Sequence, residues 1–230
     1  MSEGHRLKDF QSWINLYKQR LEDELKKVRG DIASAKSDID DWDAAQETIQ
    51  RLEQEISYLY AQLSSCSVGP DSSPEQQNAA SRRMQAIQTE IARINQERSY
   101  QSSRLDSIRN DMRMSQRMFQ NSSYFSALGS CMEENEKKRS EMAAYQSVVE
   151  QADAVISSAW NSNSKYISYI PNNITIQKDQ IAELKAMQSN LREDAKTIIQ
   201  CYQAIVSITA EISSRIGDAD AQIEIGSKRL

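Results

Sequence analysis

From Ile174 to Ile223 the chain steps by threes and fours in strict alternation. The positions are Ile174, Gln177, Ile181, Leu184, Gln188, Leu191, Ala195, Ile198, Tyr202, Ile205, Thr209, Ile212, Ile216, Ala219 and Ile223. Steps averaging 3.5 residues keep one face of an α-helix aligned, so this stretch predicts an amphipathic helix over about residues 174–225. At 1.5 Å per residue it would be roughly 75 Å long. A helix of that length carrying one apolar stripe has to cover the stripe with another helix. This requirement constrains the fold more than any other feature.

Three more seams of the same kind precede it. The first runs from Leu7 and Phe10 through Ile39, Trp42 and Ile56 to Leu63, and predicts a helix over about 7–63. The second runs from Met84 through Ile94 and Ile108 to Phe119, with Arg98 and Gln101 at seam positions, and predicts a helix over about 74–120. The third, Met142, Tyr145, Val149, Ala152, Ile156 and Ala159, predicts a helix over about 131–159. With 6 Gly and 3 Pro in 230 residues there is little to interrupt such helices. The expectation is an all-α fold, an elongated antiparallel coiled-coil-like bundle of four long helices.

The breaks carry turn chemistry. Ser64 to Pro74 contains Gly69-Pro70, and Ser73, Pro74 and Gln76 form a capping box that starts the second helix. Asn121 to Ser130 ends in Gly129, read as a position just past a helix end, with Ser130 and Glu133 as a further box. Trp160 to Ser164 is the third break. A short piece from Lys165 to Ile170 follows, ended by Pro171, with Asn172-Asn173 as the cap of the last helix. Short joints favour antiparallel neighbours, so residues 1–125 form one hairpin and 126–230 a second, either as one bundle or as two modules.

Charge supports the first pairing. Lys8 to Glu55 holds 12 acids against 8 bases, whereas Arg82 to Arg117 holds 8 arginines against 4 acids. The net charge of −5, with acids interspersed among the arginines, argues against nucleic acid and against membrane-surface contact. No apolar run is long enough to span a bilayer. The polar first residues lack the apolar core of a signal peptide, which predicts a cytoplasmic protein or one exported without a cleaved signal.

Candidates for chemistry are few. Cys66, Cys131 and Cys201 are far apart, in no metal-ligand spacing, and read as free thiols. Cys131 falls at the predicted start of the third helix, where a thiolate is favoured. The one histidine, His5, is in the N-terminal segment, so a Cys–His pair is excluded by inventory. Asp38, Asp40, Asp41 and Asp43 surround Trp42, but carboxylates on a continuous helix fan around its axis and do not converge on a cation. These residues predict a protein with no enzymatic activity, cofactor or metal. Trp13 and Trp42 lie beside and on the first seam as packing residues. Trp160 stands apart, at the joint between two helices.

The stretch from about 133 to 205, a helix, then Trp160-Asn161-Ser162, then a long heptad helix, resembles the WXG100/LXG group of helical-hairpin proteins associated with type VII secretion. Those proteins carry a Trp-x-Gly turn; here Ser162 stands at the Gly position. Their export signal, a Tyr with an acid four residues later, has no counterpart at Tyr202, which is followed at that spacing by Val206. The resemblance implies a non-catalytic partner of another helical protein, such as the N-terminal domain of a secreted toxin, with Trp160, Asn161 and Ser162 as contact residues. The alternative is a coiled-coil scaffold or adaptor that associates with itself.

Overall fold

A computed structural model describes residues 3–67, 73–121, 123–163 and 170–217. The chain is all-α. Four long helices follow in order, α1 (Glu3–Ser65), α2 (Pro74–Gln120), α3 (Ser123–Asn163) and α4 (Ile170–Ile216), and the described residues contain no strand. Two compact units divide the chain. Of the described residues, those within 1–32 and 119–207 belong to the first, and those within 33–118 and 208–217 to the second.

In the first unit α1, α3 and α4 pack as three helices. Phe10 meets Tyr145, Arg20 meets Glu134, and Tyr124 donates to Asp31, so α1 and α3 run antiparallel. Gln11 donates to Glu183, lower on α4, and Asn135 of α3 donates to the Leu191 carbonyl at 2.8 Å. The core is made of the predicted seam positions Ile14, Leu21, Leu25, Val28, Met142, Val149, Leu184, Leu191, Ile198 and Ile205, all buried. Met187 and Cys201 are buried as well, which widens the apolar face of α4 beyond one seam. A wide face is what a helix needs to serve two neighbours at once.

In the second unit α1 and α2 are antiparallel. Leu52, Ile56 and Ile94 form one layer, and Cys66, Ile87 and Ile91 another, with Leu59, Leu63 and Met84 half-buried against them. The expected charge pairing is present: Arg104 of α2 bridges to Asp41 of α1 at 2.5 Å, and the Arg109 guanidinium lies 5.3 Å from the Trp42 ring centre. The bridge is about half exposed, so it contributes under about 1 kcal/mol and serves register more than stability. Arg98 and Gln101 are half-buried at their seam positions, with Gln101 donating to Glu97.

The capping box at the start of α2 forms as the residue types require. The Ser73 N–H donates to Gln76 Oε1 at 3.0 Å, and the Gln76 N–H donates to Ser73 Oγ at 3.3 Å. α4 ends at Gly217, whose φ of 75° closes the helix with a bond from its N–H to the Ser213 carbonyl. The predicted end near 225, with Ala219 and Ile223, lies outside the described residues.

Two predicted breaks are corrected. α3 begins at Ser123, so Gly129, Ser130 and Cys131 lie inside a helix and the expected start near 131 does not occur. Gly129 is there for close approach: a Cβ on it would lie 3.3 Å from the Tyr202 hydroxyl, which donates to the Phe125 carbonyl at 2.9 Å. The third break also starts later. α3 continues through Trp160 to Asn163, because no Gly or Pro interrupts it and Ser162 Oγ satisfies itself on the Ser158 carbonyl at 3.0 Å. At the other side Pro171 does not end a helix but falls in the first turn of α4, where its missing N–H costs nothing; Asn172 and Asn173 are accordingly helical and not caps. The predicted piece from Lys165 to Ile170 lies outside the described residues up to 169.

Candidate interaction surface

The three residues singled out in the sequence occupy the last turn of α3. Trp160 is half-buried, and Asn161 and Ser162 are exposed. The turn expected at Trp160 is therefore a helix end. An aromatic ring there keeps part of its surface in water while its backbone is fixed by the helix.

The remaining candidates for chemistry are held in structural contacts. Cys131 is in the interior of α3, away from any helix start, and 2% exposed. Burial pushes its thiol pKa up, against an opposing pull from Arg20. Cys201 is raised for the same first reason. Neither is poised as a thiolate. In the acidic cluster Asp41 pairs with Arg104, and Asp43 with Arg215 at 2.8 Å. Desolvation raises the pKa of Asp38, with Asp111 and Asp41 adding to it. The four carboxylates do not gather, and among the described residues no group of side chains converges on a metal ion.

One groove of about 500 Å³ lies between α1 and α3, lined by Arg6, Asp9, Phe10, Lys138, Glu141 and Tyr145 among others. Its cations are already engaged. Lys138 pairs with Glu141 at 2.6 Å and lies over the rings of Phe10 and Trp13 at 5.9 and 5.7 Å, while Arg6 lies over Tyr145 at 5.6 Å. Trp13 stacks on Tyr17 with ring centres 4.8 Å apart, which accounts for its place beside the seam.

The sequence expectation leaves out the part of α3 before residue 131, and every seam position before Met142. Tyr124, Leu128, Cys131 and Asn135 are all buried, and Asn135 is fully so. The signal was available: counting back from Met142 by threes and fours reaches Lys138, Asn135, Cys131, Leu128 and Tyr124 without a slip. Asn and Lys at seam positions, together with Gly129, disguised it.

Among the described residues, no helix is long and apolar enough to cross a membrane. No family model, curated protein or solved structure matches the chain.

Proposed function

We propose that the protein is a non-catalytic helical interaction module that pairs with another helical protein, in the manner of the type VII secretion-associated hairpins that residues 133–205 resemble. The observation that carries this reading is Trp160, a large aromatic only half-buried at the end of a long helix, flanked by exposed Asn161 and Ser162. Tryptophan is among the residue types most enriched at the energetic centres of protein interfaces. The buried, raised thiols and the ion-paired carboxylates fit a chain whose reactive groups serve packing. On this reading the partner is a helical protein such as the N-terminal domain of a secreted toxin, met in the cytoplasm or exported with it. Affinity capture with the tagged full chain from its native host tests the reading. A helical partner that is lost on Trp160→Ala is the expected result; no helical partner, or one indifferent to Trp160→Ala, refutes it.

A second reading, a scaffold that associates with itself, is favoured by Tyr58, Tyr60 and Tyr100, which stand 64%, 54% and 64% exposed on the α1–α2 pair. A stable homo-oligomer in light scattering, broken by Tyr→Ser changes at these three positions, would establish it.

A further inference from the structure

The α1–α2 pair has two flanks, and α4 packs on one of them. Arg215 of α4 bridges to Asp43 at 2.8 Å, and Gln116 of α2 donates to Ser213 of α4 at 3.1 Å. The opposite flank is marked by the bridge from Arg104 to Asp41, since Asp41 is two positions from Asp43 and so across the helix. Along that flank two rows recur every seven residues, Asp41, Thr48, Glu55 and Gln62 on α1, and Arg83, Glu90, Glu97 and Arg104 on α2. The rows face each other: the Arg93 pKa is raised first by its hydrogen bond to Glu90, and the charge of Glu55 across the pair adds to it. Tyr58 is three residues from Glu55 and four from Gln62; Tyr100 is three from Glu97 and four from Arg104. Both tyrosines therefore stand on the Asp41–Arg104 flank, each 64% exposed. Tyr60, two positions from Tyr58, falls on the other flank.

Charge says what fits this flank. From Ala44 to Cys66 α1 carries three acids and one base, and from Arg82 to Leu105 α2 carries five arginines and two acids. The layer of Leu52, Ile56 and Ile94 puts these two stretches level with each other. Two such hairpins can stack flank to flank about a two-fold axis that runs across the helices or along them. The axis across them sets α1 on α1 and α2 on α2, acids on acids and arginines on arginines. The axis along them sets α1 of each copy on α2 of the other, opposite in charge and antiparallel in direction, as in a four-helix bundle. Residues then keep their level. Arg93 is within about a turn of Tyr58 and Arg51 within about a turn of Tyr100, so each tyrosine meets an arginine of the other copy, cation over ring. About 20 residues of each helix, a face of about 30 Å by 20 Å, bury on the order of 600 Å² per copy, the scale of a specific interface.

We propose that the Tyr58–Tyr100 flank of the α1–α2 pair docks on the same flank of a second copy about a two-fold axis along the helices, with Tyr58 against Arg93 and Tyr100 against Arg51 of the other chain. This surface rests on the self-association reading and gives it a face, a symmetry and a contact set. A second copy is selected because it supplies two helices of matching length whose charges are complementary at every level, where a single partner helix would cover only one of the two rows.

Sedimentation equilibrium of the full chain is expected to give a dimer. Tyr58→Glu and Tyr100→Glu, exposed changes checked for unaltered helicity by circular dichroism, are each expected to weaken it roughly tenfold or more, and Tyr60→Glu on the other flank to leave it unchanged. The axis is tested by mixing Tyr58→Cys and Arg93→Cys chains, one of them tagged, and oxidising; Cys66, Cys131 and Cys201 are buried and stay out of the reaction. A cross-link between position 58 of one chain and position 93 of the other is expected. A dimer indifferent to Tyr58→Glu and Tyr100→Glu, one equally weakened by Tyr60→Glu, or a preferred cross-link from 58 to 58 overturns the inference and leaves self-association standing. A chain that is monomeric at every concentration overturns both, as does a monomer that captures a different protein through Tyr58 and Tyr100. Trp160 belongs to the other unit, and its partner is decided separately by native-host capture.

Discussion

Asn135 and Tyr17 form a hydrogen bond in the middle of a three-helix core: the Asn135 amide donates to the Tyr17 hydroxyl at 3.0 Å, with Asn135 fully buried and Tyr17 2% exposed. The second amide hydrogen reaches the Leu191 carbonyl, so one side chain of α3 is tied to α1 and α4 at a single level. An apolar layer tolerates sliding by a turn, whereas a buried amide with fixed partners does not. Asn135→Ala removes both bonds and should lower unfolding free energy by about 1–3 kcal/mol. Tyr17→Phe should cost less, about 1 kcal/mol, and the double variant less than the sum of the two, because both changes delete the same bond. Urea unfolding of the four proteins checks this; strictly additive costs would show that the bond contributes nothing.

Gly30 and Gly129 are both helical, and substitution by Ala should separate them. Nothing lies within 4 Å of a Cβ built on Gly30, so Gly30→Ala should give the ordinary helix-interior gain of roughly 0.5–1 kcal/mol. At Gly129 the added methyl meets the Tyr202 hydroxyl at 3.3 Å. The same intrinsic gain is then set against displacement of Tyr202 from the Phe125 carbonyl, and Gly129→Ala should show little gain or a loss. Thermal melts of the two variants decide it, and equal stabilisation would contradict the close-packing role.

These two sites also show what the sequence reveals and what it hides. The seams of α1, α2 and α4 were legible because apolar residues repeat at 3 and 4 over many turns, and the Ser73–Gln76 box was legible because capping is local. Gly129 was misread as a helix end, since the sequence does not say that Tyr202, far away in the chain, needs the space. Trp160 was misread as a turn for a related reason: Asn and Ser weaken a helix but do not stop one without Gly or Pro. Asp153, Gln177 and Gln180 each hold a buried side-chain oxygen without a hydrogen-bond partner, and no local sequence pattern encodes burial that neighbouring helices impose.

Asp194 should destabilise the fold at neutral pH. Desolvation raises its pKa, Lys18 opposes the rise and Glu22 adds to it. A raised folded-state pKa means that the native state holds the proton more tightly than the unfolded chain. Its favourable contribution is present at low pH and is lost as pH rises through the carboxylate range. Asp194→Asn should therefore raise the urea midpoint at neutral pH and leave it nearly unchanged in acid. A variant with the same midpoint as the parent at every pH would remove Asp194 as a titrating contributor.

Alkaline stability should fall in a narrow window set by two tyrosines. The Tyr17 pKa is pushed from 10 to about 12, first by burial, against the hydrogen bond from Asn135 that lowers it. The Tyr124 pKa is also raised to about 12, by burial and then by its hydrogen bond to Asp31. In each case the folded state prefers the neutral phenol, so nothing is lost below the ordinary tyrosine pKa and stability declines as pH climbs from there to about 12. For Tyr17, which is almost wholly buried, the decline should be on the order of 2 kcal/mol. Tyr124, buried and bonded to the Asp31 carboxylate, should add to the same decline. Unfolding followed by far-ultraviolet circular dichroism against pH, with phenolate absorbance read in parallel, should show ionisation of these residues coinciding with loss of helix. Tyr17→Phe should flatten the decline even though it lowers stability at neutral pH. If the decline is as steep in Tyr17→Phe as in the parent, another group governs the alkaline limit.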